Sequence, residues 1–124
     1  FYINHVQVSA PWHDPLLHTM NFLKYDAMTL GNHDLEMPQE KLIWRMKESS
    51  FPWLGANVQQ DPEDSNHSLR LDPYKVLERN GVRIGILGMT TPGIPIWLDS
   101  PKLKGFSFQD VLSSSQKWVS VLKN

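Results

Sequence analysis

The feature that most constrains this chain is the stretch Tyr25-Asp26-Ala27-Met28-Thr29-Leu30-Gly31-Asn32-His33-Asp34. Its apolar residues Ala27, Met28 and Leu30 stop at Gly31, and three side chains with donor, acceptor or titratable groups follow at once. So short an apolar run, bounded by turn residues, predicts a buried strand over residues 26–30. Ligands of open α/β sheets sit beyond the carboxyl ends of strands, which is where Asn32, His33 and Asp34 would then stand. A plain polar turn is the competing reading, because Gly, Asn and Asp are common turn residues.

The surrounding chain supplies the elements for such a sheet. Phe1 to Val8 fits an edge strand or the tail of a helix equally well. Pro11 and Pro15 bracket a loop carrying Trp12, His13 and Asp14. Asp14-Pro15 is a helix start, with an N-cap and a proline at the first helical position. Leu16, Met20 and Leu23 recur at helical spacing with Leu17 beside them, predicting an amphipathic helix over 15–24 with His18 on its surface. Pro38 opens a second helix, where Leu42, Ile43 and Met46 form an apolar stripe among Glu40, Lys41, Arg45, Lys47 and Glu48. Ser49-Ser50 and Pro52 end it.

Trp53 to Val58 reads as another buried strand, and residues 59–68 as a polar exposed loop with a solvated His67. Tyr74–Arg79 and Val82–Leu87 flank Asn80-Gly81, a strong type I′ hairpin signal. Gly85 and Gly88 predict close backbone approach, and Met89 to Pro95 a constrained loop. Ser107 and Asp110 have capping-box spacing, with Phe106 and Val111 placed for the accompanying staple. Val111, Trp118 and Leu122 continue one helical face. Helix, strand, helix, strand, hairpin, helix predicts an α/β fold in which one sheet is covered by helices.

Composition bounds the function classes. A chain of 124 residues fits one domain. Its net charge of -1 and lack of any Lys/Arg cluster argue against a nucleic-acid polymer as partner. The absence of cysteine excludes disulfides, thiolate metal sites and a cysteine nucleophile. No apolar run approaches the roughly 18 residues of a membrane span. The chain begins Phe1-Tyr2-Ile3 without an initiating Met, so a processed or excised piece of a longer protein is expected.

Gly-Asn-His-Asp carries a specific chemical possibility. A side-chain amide oxygen is a neutral hard donor, useful to a divalent cation beside carboxylates and imidazoles. A histidine next to such a metal, rather than on it, can hold a proton for a leaving oxygen or face developing phosphoryl charge. That combination suits metal-assisted hydrolysis of phosphate esters.

Leu23 to Glu36, Leu-Lys-Tyr-Asp-Ala-Met-Thr-Leu-Gly-Asn-His-Asp-Leu-Glu, resembles the central signature of calcineurin-like metallophosphoesterases. It is especially similar to the 5′-nucleotidase and 2′,3′-cyclic-nucleotide 2′-phosphodiesterase branch. Trp53 to Val58 resembles that family's following strand. Pro73-Tyr74-Lys75-Val76 through Gly81 to Pro92 resembles its hairpin and loop, so the likeness runs through most of the chain in order. The resemblance implies part of a metallophosphoesterase α/β sandwich, a nucleotide or cyclic-nucleotide substrate, and two divalent metal ions drawn from Mn, Zn, Mg or Fe. It implies that Asn32 is a ligand of one metal. His33 would be the non-ligating histidine that stabilises the transition state or protonates the leaving group. Glu36 stands where the family places the Asp or Asn that pairs with this histidine, and Asp34 would fix the loop.

The family also uses an Asp-x-His and a Gly-Asp segment before this motif and a Gly-His pair after it, none of which is in this sequence. Residues 1–124 are therefore expected to be the central segment of one metallophosphoesterase domain, incomplete at both ends and inactive alone. His5, His13, His18 and His67 match none of its motifs. A second reading is a non-catalytic binding or assembly module on the same scaffold. Exposed edges and apolar faces of such a segment predict self-association. Members of this branch are commonly exported.

Overall fold

In the computed structural model, residues 14–61, 69–98 and 100–123 are described. The expectations for Phe1–Val8, for the loop of Trp12 and His13, and for His5 and His67 lie outside them. The chain adopts a mixed α/β fold whose described strands form three separate sheets rather than the expected single one. Its first helix, α1 (Pro15–Phe22), starts as its sequence dictates. Asp14 Oδ1 accepts the Leu17 N–H at 3.1 Å and Pro15 takes the first helical position. The helix ends two residues before the expected boundary, because Lys24 turns left-handed at φ 54°. That turn lets Lys24 N–H reach Asn21 O and Tyr25 N–H reach Met20 O, closing a Schellman motif. The buried pair is Leu17 and Met20, whereas Leu16 and Leu23 are exposed. The expected stripe is thus corrected. Leu23 lies past the last helical turn, and α1 meets the core only along its Leu17–Met20 side.

Strand β1 follows, limited to half-buried Met28–Thr29 rather than the expected buried 26–30, because exposed Asp26 pairs with Arg79 instead of a strand. Then come a 3-10 turn over Asn32–Glu36 and helix α2 (Gln39–Glu48) behind Pro38. β2 (Trp53–Leu54) pairs parallel with β1 on one side and with β4 (Leu71–Asp72) on the other. The ladder runs on through Leu30 N–H to Leu54 O and Gly55 N–H to Asp72 O, both at 2.9 Å. Alternation sends neighbouring β2 side chains to opposite faces. Trp53 turns toward α2, its indole N–H bonded to Ser49 Oγ at 2.8 Å, and Leu54 turns toward Gly88. On the Trp53 side, Leu17, Met20, Leu30, Leu35, Leu42 and Ile94 belong to one buried core.

The single strand expected over Trp53–Val58 is two strands in two sheets. Val58 N–H turns back to Gly55 O, and β3 (Val58–Gln60) leaves to pair antiparallel with β7 (Phe106–Phe108). Gln59 and Gln60 therefore belong to a strand rather than to the expected loop, of which residues 62–68 lie outside the described ones. The hairpin is as expected. β5 (Tyr74–Arg79) and β6 (Val82–Leu87) pair from Tyr74↔Leu87 to Arg79↔Val82. Asn80 at φ 52° and Gly81 at φ 77° make the I′ turn between them.

The constrained loop after β6 leads into the short helix α3 (Ile94–Trp97), with Ile94 buried. The last helix, α4 (Val111–Lys123), is capped by Asp110, whose Oδ1 accepts Ser113 N–H at 2.8 Å. Ser113 backbone and then side-chain hydrogen bonds hold the Asp110 carboxyl below its ordinary range. The expected box from Ser107 does not form, because Ser107 sits in β7 opposite Gln59. The inward face of α4 is Ser114, Trp118 and Leu122 rather than one beginning at Val111. Trp118 bonds Ala56 O at 3.0 Å, its ring meets Tyr74 at 5.7 Å, and Leu122 rests on Gly85.

Candidate functional site

Three parallel strands end together at Leu30, Leu54 and Asp72, and the Gly31–Glu36 turn stands directly beyond that edge. This is the position at which open α/β sheets place ligands. The turn is closed by Asp34. Its backbone N–H donates to Gly31 O at 3.2 Å, while its Oδ2 accepts Gly31 N–H at 2.9 Å. Asp34 is buried, and its other oxygen takes Arg45 Nη1 at 3.2 Å. A carboxylate committed to a backbone N–H and a guanidinium fixes the loop.

The 3-10 geometry then sets the pairing of the exposed side chains. Three residues per turn eclipse positions i and i+3, so His33 and Glu36 fall on one face. His33 Nδ1 and Glu36 Oε1 are 2.8 Å apart, with the imidazole about half exposed (56%) and the carboxylate less so (29%). An ionised carboxylate only accepts, so the contact places a proton on Nδ1 and leaves Nε2 as the ring's other functional atom. Asn32 is half-buried on the same turn.

The structure thus brings together His33, Glu36, Asn32 and Asp34 within one turn. It does not bring them together with further ligands. Among the described residues, no three His, Cys, Asp or Glu side chains gather as a metal would need. One neutral amide oxygen is too poor a donor set for a divalent cation, and the residues present do not by themselves fit a two-metal centre. A concavity of about 700 Å³, lined by Ile43, Met46, Phe51, Trp53, Leu69 and Lys75 among others, includes none of Asn32, His33 and Glu36.

Two residues that hold this region were not singled out from sequence. Arg45 reads as one charge on the polar side of α2, yet it is only 2% exposed. Its spacing of three from Leu42, on the buried face, was the available signal. Asn57 is 1% exposed and bridges the β2–β3 turn to the loop after β6. Its Nδ2 donates to Thr90 O and Gln109 O at 2.9 and 3.0 Å, and its Oδ1 accepts Thr90 N–H at 2.9 Å. Nothing local in Gly-Ala-Asn-Val announces those long-range partners.

The chain and its fold are similar to known proteins. No protein-family model matches the chain. A human 5′-nucleotidase is 40% identical over 108 residues, covering 86% of this chain and 18% of that protein. The crystal structure of a 5′-nucleotidase precursor from Thermus thermophilus superposes with TM-score 0.73 at 32% identity, over 85% of this chain and 20% of the other. The calcineurin-like phosphoesterase YfkN of Bacillus subtilis superposes with TM-score 0.71 at 33% identity, over 88% of this chain and 34% of the other. The mixed α/β fold thus matches part of the nucleotidase structures, and the chain spans about a fifth of the length of the curated relatives it matches.

Proposed function

Because the chain belongs to the 5′-nucleotidase and calcineurin-like phosphoesterase family over a partial region of its members' chains, we propose that it is the central segment of a domain that hydrolyses nucleotide phosphate esters. Its substrates in this reading are nucleotides or 2′,3′-cyclic nucleotides. The observation that carries the reading is the 2.8 Å pair of His33 and Glu36 at the carboxyl edge of the parallel strands. Glu36 accepts the hydrogen bond from Nδ1–H and so orients the imidazole. Nε2 is then the atom that meets a phosphoryl oxygen or delivers a proton to the departing alkoxide. The longer Glu, in place of the Asp or Asn expected from the resemblance, still reaches across one 3-10 turn.

Asn32 would contribute, in this reading, one oxygen to one of two divalent metal ions, and the described residues do not supply the remaining ligands. The family is one of metal-dependent phosphoesterases.

The test is release of p-nitrophenol from bis(p-nitrophenyl) phosphate, and of phosphate from a nucleoside monophosphate, with added manganese. It is run on the 124-residue chain and on the longest natural protein that carries it. We expect turnover by the longer protein to fall about 100-fold in His33→Ala and about tenfold in Glu36→Gln, with the short chain inactive. Unchanged turnover in His33→Ala removes the assigned role, and no turnover by the longer protein with any divalent metal favours the binding-module reading.

The same reading has a physical consequence for the isolated chain. Val82 and Ile84 on β6, Leu112 and Val119 on α4, and Ile96 and Trp97 on α3 are exposed. β1 also has β2 as its sole strand neighbour among the described residues. Open edges and apolar faces drive association in water. The 124-residue chain is therefore expected to self-associate, with a scattering mass that rises with concentration; a monodisperse monomer at high concentration would contradict this.

A further inference from the structure

We infer that Arg45 is a positioning residue for the Gly31–Glu36 turn, fixing Asn32 and His33 by tying Asp34 to the start of α1. The inference rests on the reading that this turn carries phosphate-ester chemistry, but its geometry stands apart from that reading. The Arg45 side chain lies between three elements. Nη1 donates to Asp34 Oδ1 at 3.2 Å, Nε is 2.8 Å from Asp14 Oδ2, and the guanidinium carbon sits 5.6 Å from the Trp53 ring centre. The Asp14 contact is an ion pair rather than a directed hydrogen bond, since Nε–H does not point at an acceptor.

Each carboxylate has a second duty. Asp14 Oδ1 caps α1 through Leu17 N–H, and Asp34 Oδ2 closes the turn through Gly31 N–H. Asn32 and His33 lie between the two ends of that closure. A continuous path therefore runs from the α1 cap through Asp14, Arg45 and Asp34 to the backbone that presents the imidazole.

Energetics argues that the path serves geometry. Buried ion pairs recover little more than the desolvation they cost, so this cluster is a weak source of net stability. What a planar guanidinium does here is aim one N–H at Asp34 while its charge stays beside Asp14 and it lies over the Trp53 ring, and lysine cannot reproduce that with a point charge. The turn needs such an anchor. A 3-10 segment has poorer hydrogen-bond geometry than an α-helix and is seldom self-sufficient. In a positioning role, Arg45 touches neither substrate nor reacting atoms; it sets where His33 stands.

The experiment is amide hydrogen exchange and proton chemical shift by NMR on the ¹⁵N-labelled 124-residue chain, at a concentration low enough for its scattering mass to be that of one chain. It is read at Gly31, at Asp34 and at the His33 ring, with Leu77 and Ile84 of the hairpin as internal reference. In Arg45→Met, Gly31 N–H is expected to exchange about tenfold faster and the His33 ring protons to shift, while the hairpin amides stay within about twofold of wild type. Arg45→Lys should fall between the two. Removing one charge from a buried cluster endangers folding, so a second comparison sets D14N/D34N/R45M, which leaves no buried charge unpaired, against Asp34→Asn. The same acceleration at Gly31 is expected there. Gly31 exchange within about twofold of its reference, or equal acceleration at Gly31 and the hairpin, would overturn the inference. Loss of the phosphate-ester reading through an active His33→Ala enzyme would leave the Gly31 result intact, so the two failures are distinguishable.

Discussion

Gly88→Ala is expected to be the most damaging single-methyl substitution considered for this chain, lowering stability by about 3 kcal/mol or more. A Cβ at Gly88 would stand 2.2 Å from Leu54 Cβ and 2.8 Å from the Leu54 carbonyl carbon. Real atoms do not approach so closely, and most of the obstacle is backbone, which cannot rotate away. Leu54 is fully buried in β2, so relief requires β2 and the end of β6 to separate. That separation would stretch the 2.7 Å bond from Ala56 N–H to Gly88 O and pull on the carboxyl edge where the His33 turn stands. The measurement is urea unfolding followed by tryptophan fluorescence, with the midpoint falling sharply. Gly81→Ala is the internal control. Its Cβ would meet nothing within 4 Å, and the cost there is confined to the φ of 77°, about 1 kcal/mol. Equal midpoints for the two variants would contradict the packing argument.

Asn57→Ala is expected to cost on the order of 3–5 kcal/mol through the hydrogen bonds it strands. Three backbone groups lose their side-chain partner at once: Thr90 N–H, Thr90 O and Gln109 O. Deleting one partner of a buried bond leaves the other unsatisfied, which costs more than the bond itself contributed. The loss is local in space but not in sequence, since Thr90 and Gln109 are 33 and 52 residues from Asn57. Asn57→Asp separates the components. It keeps an acceptor for Thr90 N–H, loses both donated bonds and places a carboxylate among carbonyl oxygens, so it should be at least as destabilising at neutral pH. Parallel urea titrations of the wild type and both variants check this, and a change below about 1 kcal/mol for Asn57→Ala would refute the bridging role.

What could be read from the chain alone follows the range of the forces involved. Asp14-Pro15 announces a helix start, Asn80-Gly81 a I′ turn, and both are seen, because capping and positive φ are decided within a few residues. The turn at Gly31–Asp34 was likewise legible as the end of a strand, although only Met28–Thr29 pair and they are half-buried. Gly88 was legible as a site of close backbone approach, whereas Gly85 meets only the Leu122 side chain. The α1 stripe was misassigned for the opposite reason. Leu16 and Leu23 have helical spacing with Met20, but burial depends on where neighbouring elements lie. The run Trp53–Val58 looks continuous, yet the chain turns after Gly55, with Val58 N–H on Gly55 O, from one sheet into another. Ser107 has the residue type of a cap but is claimed by pairing with Gln59, leaving Asp110 to start α4.

The candidate site divides along the same line. Sequence by itself determined the residue types, their order and the strand that delivers them, because apolar patterning and turn chemistry act over a few residues. It also carried the family, through a likeness that runs over most of the chain rather than four residues. Only the tertiary structure decided that Glu36 reaches His33 across one 3-10 turn, that Asp34 faces inward, and that Arg45 of α2 sits buried between Asp14 and Asp34. Those outcomes depend on bringing α1, the turn and α2 against one core. Burial of a charge is decided by partners brought from far along the chain, and no local pattern encodes where those partners will be.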